Sequence, residues 1–144
     1  MSSALDGGRD AYLLHPIGVV RSPLSDRASA PSQGSEGAPE ATIDLAPSVL
    51  EGVDGIEAGQ EIIVVTWLHE ARRDVLKLHP RWDERLPLTG VFNTRSPDRP
   101  NPLGLHRVTV LELAGRQLKV RPLEAIDGTP VVDIKPVLRS PADC

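Results

Sequence analysis

Val108-Thr109-Val110-Leu111-Glu112-Leu113-Ala114-Gly115-Arg116-Gln117-Leu118-Lys119-Val120-Arg121-Pro122-Leu123 is the stretch that decides the fold class. Its apolar positions Val108, Val110, Leu111, Leu118, Val120 and Leu123 mostly alternate on either side of Ala114-Gly115-Arg116. An extended chain turns successive side chains to opposite faces, so this pattern marks two half-buried strands joined by a glycine-centred hairpin turn. Working outward, Glu61 to Leu68 carries Ile62, Ile63, Val64, Val65 and Trp67, a β-branched run too short for a core helix and suited to a buried strand. Ala41 to Leu45, Thr89 to Thr94 and Val131 to Leu138 read as further strands, the last interrupted by Pro136. Asp74 to Leu78 alternates weakly, and Tyr12 to Val20 reads as a strand with an irregular start around Pro16 and Gly18. Pro47 to Val53 can form one or two turns of helix with Pro47 in the first turn. Short strands with almost no amphipathic helix predict an all-β fold: an antiparallel barrel or sandwich with long loops, in one domain over 12–139. Residues 1–11 are expected to be a disordered start and 140–144 a tail. No Gly-x-Gly-x-x-Gly opens a helix and there is no P-loop, which argues against a Rossmann-type fold.

The 144 residues suit one domain, and 40% hydrophobic content suffices for one core. With one Phe and one Tyr, that core has to be built from Val, Leu and Ile, leaving Trp67 and Trp82 as the large aromatics. A wide aromatic platform for stacking many bases is not expected. The net charge of −4 argues against coating nucleic acid through a basic surface, although a local basic patch is compatible with it. Cys144 is the sole cysteine, so no intrachain disulfide forms and a reducing compartment is expected. Neither a signal-peptide pattern nor an apolar run of membrane-span length is present, so a soluble, cytoplasmic protein is expected.

Three segments concentrate the chemistry. The first is Gly90-Val91-Phe92-Asn93-Thr94-Arg95-Ser96-Pro97-Asp98-Arg99-Pro100-Asn101-Pro102-Leu103-Gly104. Its closely spaced prolines fix φ and remove N–H donors, which stiffens the loop before any ligand arrives. Arg95 and Arg99 offer donor forks matched to carboxylate or phosphate; equally, they can tie down neighbouring carbonyls or pair with Asp98. The second segment runs from Ala125 to Pro136. Asp127-Gly128 reads as a turn, and Asp133 and Lys135, two apart, share a sheet face where they can pair. The third is Trp67-Leu68-His69-Glu70, where His69 is either a proton acceptor or adenine partner, or a structural histidine. His15, His79 and His106 have no metal-ligand spacing with it, so no metal is expected. Residues 21–40, rich in Pro, Gly and Ser, form either a ligand-covering loop or a surface excursion.

Together these segments resemble the TsaA-like family, whose characterised members, called TrmO, methylate N6-threonylcarbamoyladenosine immediately 3′ of the tRNA anticodon. The resemblance runs from Ile17-Gly18-Val19-Val20-Arg21-Ser22-Pro23 to Asp133-Ile134-Lys135-Pro136, and rests on Gly90 to Leu105 and Asp127-Gly128-Thr129-Pro130. It implies a barrel-like fold, a homodimer, and S-adenosylmethionine bound near the subunit interface. The implied cofactor positions are Pro31, Gln33, His69, Glu70, Arg95, Leu105 and Asp127-Gly128-Thr129-Pro130. His69 and Asp127 are the candidate proton acceptors, and Arg99, Asn101 and Lys135 the candidate contacts to a tRNA anticodon loop. Ser32 departs from the Pro-Arg-Gln common in the family's loop, Asn93 from a common Ala, and Val137 from a usual aromatic. With no C-terminal extension, tRNA contacts are expected from the core dimer. Two further functions are compatible with the same residues: methyl transfer to a small metabolite, and a non-enzymatic module that binds S-adenosylmethionine or a nucleotide.

Overall fold

A computed structural model describes residues 10–25 and 38–139. Six antiparallel strands close into a barrel: β1 (Gly18–Arg21), β2 (Ala41–Leu45), β3 (Glu61–Trp67), β6 (Leu103–Ala114), β7 (Gln117–Arg121) and β8 (Pro130–Pro136). Their order around the barrel is β1-β2-β7-β6-β3-β8. Two short strands, β4 (Lys77–Leu78) and β5 (Thr89–Gly90), pair separately beside it.

The glycine-centred hairpin is β6–β7. Ala114 faces Gln117, and Gly115 takes φ +60°, the left-handed conformation a two-residue turn needs. The break in alternation at Val110-Leu111 is a bulge: the register shifts between Val110 and Glu112, which rephases the strand so that Leu113 again packs toward the core. In β3, Ile62, Val64 and Thr66 point inward and are buried. Ile63 and Val65 are only half-buried, a departure from the buried run expected, because an antiparallel barrel leaves one face of each strand outside. The core is aliphatic, as its composition requires: Val20, Ile43, Val64, Val108, Leu118 and Val120 are among its fully enclosed members. Neither tryptophan joins it. Trp67 lies on the outer face under Arg73, 5.1 Å from guanidinium carbon to ring centroid, and Trp82 is 75% exposed.

Several sequence-based boundaries need correction. Residues 12–16 are exposed and outside any strand; β1 begins at Gly18, where a Cβ would lie 2.6 Å from the Asp44 carbonyl oxygen, so the close approach of β2 requires glycine. Of Asp74 to Leu78, only Lys77–Leu78 is strand. Thr89 to Thr94 is strand only at Thr89–Gly90 and then coils into a 3₁₀ turn, Val91–Asn93, leaving Phe92 79% exposed. Finally, β6 starts at Leu103, well before Val108, because Leu103 to Arg107 pair with Ile63 to Trp67 of β3. Pro136 ends β8, opposite Ile62, and does not interrupt it. Pro47–Val53 is a 3₁₀ helix with proline in its first turn. No helix among the described residues is long and apolar enough to cross a membrane.

Candidate functional site

At one end of the barrel, where β3 finishes and β6 starts, the chain encloses a cavity of about 650 Å³. Its size falls within the range of small-molecule sites. Leu68 to Ala71, Asn93 to Pro97 with Arg99, Leu103 to His106 and Glu124 to Ile126 supply walls, with the Leu78–Trp82 segment along one side.

The triple-proline loop is wired to itself and to the end of β3. Arg99 Nη1 donates to the Thr94 and Ser96 carbonyls at 3.0 and 2.9 Å, and Nη2 to the Val91 carbonyl at 2.9 Å. Buried Asp98 accepts from the Arg72 backbone N–H at 2.8 Å, and the Arg99 N–H donates to the Arg72 carbonyl at 3.0 Å. Arg73 Nε donates to the Pro100 carbonyl at 2.7 Å, and Arg73 Nη2 to Asn101 Oδ1 at 3.1 Å. Arginine side chains thus bond the carbonyls of a loop from which prolines have removed donors, and fix its shape.

Of the residues singled out from sequence, His69, Glu70, Arg95, Arg99, Leu105 and Thr129 converge on the cavity. Arg95 stands exposed, and Nη2 donates to the Leu105 carbonyl at 3.1 Å; a guanidinium carries five N–H groups, so one such bond does not exhaust its donors. His69 Nε2 and Glu70 Oε2 are 3.8 Å apart at the rim. Asp127, Gly128, Pro130, Asn101 and Lys135 do not line the cavity. Asp127 Oδ1 accepts from the Ser22 N–H at 3.0 Å and the Asp127 N–H donates to the Leu24 carbonyl at 2.6 Å, so this turn clamps the root of the long loop. Gly128, at φ +86°, donates to the Val20 carbonyl, while Pro130 sits opposite Val19 in the ladder. Lys135 pairs with Asp133 at 3.3 Å on the outer face. Pro31, Gln33 and Ser32 lie outside the described residues.

Sequence reading missed a buried histidine of the site. His106 is 4% exposed, with Nδ1 2.6 Å from Glu124 Oε1 and Nε2 2.7 Å from the hydroxyl of Thr66, itself fully buried. Gly104 makes room for this row: a Cβ there would fall 2.5 Å from Thr66 Oγ1 and 2.7 Å from His106 Nε2. A signal existed. Extending the alternation of Val108 and Val110 backward by twos puts His106 and Gly104 on the inner face. Charges around the mouth are largely compensated. Hydrogen bonds from Arg72 and Arg85 hold the carboxyls of Asp74 and Asp83 below the ordinary carboxylate range. Among the described residues, no three His, Cys, Asp or Glu side chains are grouped as metal ligands.

Residues 19–144 match the tRNA-methyltransferase O N-terminal domain. The chain belongs to that family. Its members share the barrel: a crystal structure of TrmO from Pseudomonas aeruginosa aligns with a TM-score of 0.71 at 28% identity, over 94% of this chain and 60% of that one. The chain therefore spans less than two thirds of the crystallised TrmO. Among relatives of this tRNA-methyltransferase O domain, a probable S-adenosyl-L-methionine-binding protein of Methanothermobacter thermautotrophicus is 49% identical over 123 residues, 85% of this chain and 88% of its own. An S-adenosyl-L-methionine-binding protein of Archaeoglobus fulgidus is 45% identical over 125 residues, 85% of this chain and 87% of its own.

Proposed function

We propose that this chain is an S-adenosylmethionine-dependent methyltransferase whose substrate is N6-threonylcarbamoyladenosine in the tRNA anticodon loop. One observation carries the reading: His69, Glu70, Arg95, Leu105 and Thr129, scattered along the sequence, meet on one preformed cavity. The donor set suits the cofactor. Arg95 presents a fork to a carboxylate, Glu70 and His69 lie where an ammonium group would find acceptors, and the Leu105 strand offers backbone groups to an adenine edge. When bound, S-adenosylmethionine supplies an electrophilic methyl group on a sulfonium centre. The chain's part is to orient that methyl toward a substrate nitrogen and to keep water out. The wiring of the loop by Arg99 and Arg73 serves this, since a rigid wall loses little entropy on binding.

A homodimer built beside the cavity is part of the same reading. Leu103, Leu105 and Trp82 are exposed at the cavity, and a two-fold partner would cover such a surface. Light scattering should give a dimer mass. A cytoplasmic location follows from a tRNA substrate. The deciding experiment is nucleoside analysis of tRNA from cells with and without this protein, together with transfer of labelled methyl to purified tRNA. Appearance of methylated threonylcarbamoyladenosine supports the proposal; methylation confined to small-molecule extracts transfers it to a metabolite. The metabolite reading draws on the net charge of −4 and on the pairing of Arg72 and Arg85 with acidic neighbours, which leaves less positive charge for phosphate.

A further inference from the structure

We propose that Glu124, held by His106, takes the proton released when the substrate nitrogen is methylated, making Glu124 a catalytic residue and His106 its positioning residue. The inference rests on the methyl-transfer reading above. Glu124 follows β7 and lines the cavity, with a side chain 14% exposed. A carboxylate set into a barrel end loses hydration, and the loss is tolerable only if partners replace the water. His106 Nδ1, at 2.6 Å, engages one oxygen. A carboxylate has about four acceptor positions, so one histidine contact leaves capacity on the side facing the cavity.

The histidine cannot drift from this duty. Its other nitrogen is 2.7 Å from the Thr66 hydroxyl, and the missing side chain at Gly104 leaves both groups in place. Threonine, histidine and glutamate thus form a chain running from the buried core to the cavity surface. The other acceptors on the described wall are placed differently. His69 and Glu70 stand at the rim, 3.8 Å apart, and His79 Nδ1 is 2.9 Å from the Leu86 carbonyl. Glu124 is more enclosed than either rim group, its side chain 14% exposed against 36% for His69 and 49% for Glu70.

A carbamoylated amine nitrogen is a weak nucleophile while it keeps its hydrogen, so an acceptor aligned with that N–H lowers the barrier. In the step itself the nitrogen–carbon bond forms as the sulfur–carbon bond breaks, its electron pair remaining on sulfur. The proton passes from nitrogen to the open oxygen of Glu124, and from there to water when the product leaves.

The test compares Glu124→Gln, His106→Gln and His106→Leu with the wild type. Glu124→Gln keeps an oxygen for the histidine N–H but is no longer basic. Its affinity for S-adenosylhomocysteine by calorimetry should stay within about threefold and its KM for tRNA should hold, while kcat falls about 10²-fold. His106→Gln, which retains a donor toward Glu124, should keep more of kcat than His106→Leu at the same KM. In the wild-type protein, the carboxyl carbon resonance of Glu124 should move when an anticodon stem-loop bearing N6-threonylcarbamoyladenosine is added, and hardly move with S-adenosylhomocysteine alone. A Glu124→Gln protein with wild-type kcat overturns the proposal. A resonance unmoved by the stem-loop overturns it even if the variants do not fold. A wild type that binds S-adenosylhomocysteine yet methylates no RNA removes the functional reading and this inference with it, so the two failures are distinguishable.

Discussion

Gly104→Ala places one methyl group where the structure has no room for it. The added carbon would lie 2.5 Å from Thr66 Oγ1 and 2.7 Å from His106 Nε2, atoms that are 2.7 Å from each other. Neither neighbour yields easily: Thr66 is fully buried and stiff about χ1, and His106 is also held by Glu124 at its far nitrogen. Overpacking of a core costs about 1–3 kcal/mol, and separating a buried hydroxyl from its imidazole partner adds about 1–3 kcal/mol for the unpaired groups. The expected loss is therefore roughly 2–6 kcal/mol, a large share of the 5–15 kcal/mol that holds a typical domain together. In a domain of this size each kcal/mol moves Tm by about 2–4 °C, so a fall of roughly 5–20 °C is expected. Chemical denaturation of wild type, Gly104→Ala, Thr66→Ala and the double variant gives the coupling. Once alanine has already parted the pair, Thr66→Ala should cost less than it does in the wild type, by about 1 kcal/mol. A Gly104→Ala protein as stable as wild type, or strictly additive variants, would refute the packing argument.

Three further outcomes are expected. Arg95→Ala should weaken S-adenosylhomocysteine binding by about 1.5–3 kcal/mol for a lost charge-assisted bond, with Arg95→Lys intermediate because it lacks the planar fork. Since Arg95 makes one bond to the Leu105 carbonyl at an exposed position, Tm should change little; affinity and Tm falling in parallel would make Arg95 a loop tie and not a ligand residue. Trp82 holds φ +60° while 75% exposed, so Trp82→Gly should raise stability by about 1 kcal/mol, and a lower midpoint in denaturant would show that the ring is packed in solution. Glu61, Asp74 and Asp83 have folded-state pKa values lowered chiefly by hydrogen bonds from Arg107, Arg72 and Arg85. A depressed carboxylate stabilises fully above its unfolded pKa and loses that contribution as pH falls through the folded value, so Tm should decline below the ordinary carboxylate range. These pairs are exposed, so the decline should be shallow and flatten in high salt; a slope indifferent to salt argues against them.

What the sequence made legible follows its periodicities. The alternation of Val108 to Val120 and the β-branched run of Ile62 to Val65 match a pleated strand, so the all-β class and two central strands could be read directly. Failures occurred where tertiary pairing decided. Leu103 to Arg107 lie in a stretch punctuated by Pro102 and Gly104 and look like loop, yet β3 offers them a complete ladder and they extend the strand. Conversely, Thr89 to Thr94 has strand-like residues, but among the described residues it pairs only with β4, and the chain coils after Gly90. In the site, segments with unusual strings stood out, and His69, Glu70, Arg95, Arg99, Leu105 and Thr129 are among the residues of theirs that line the cavity. The Thr66–His106–Glu124 row did not, because each member belongs to a different segment and only the pairing of β6 with β3 and β7 brings the three together.

That closure also sets a timetable. β1 completes the barrel by meeting β8 at Gly18↔Val131 and Val19↔Pro130, positions more than a hundred residues apart in the chain. Pairings this distant lose loop-closure entropy before any contact compensates, which places such topologies among the slower folders, in the millisecond to second range. On a ribosome adding about 5–20 residues per second, β1 emerges roughly 5–20 s before the strand that will cover its free edge. For that interval Val19 and its neighbours present an unpaired edge to every other nascent chain, and a newly made molecule is most exposed to aggregation at the seam that later closes the barrel.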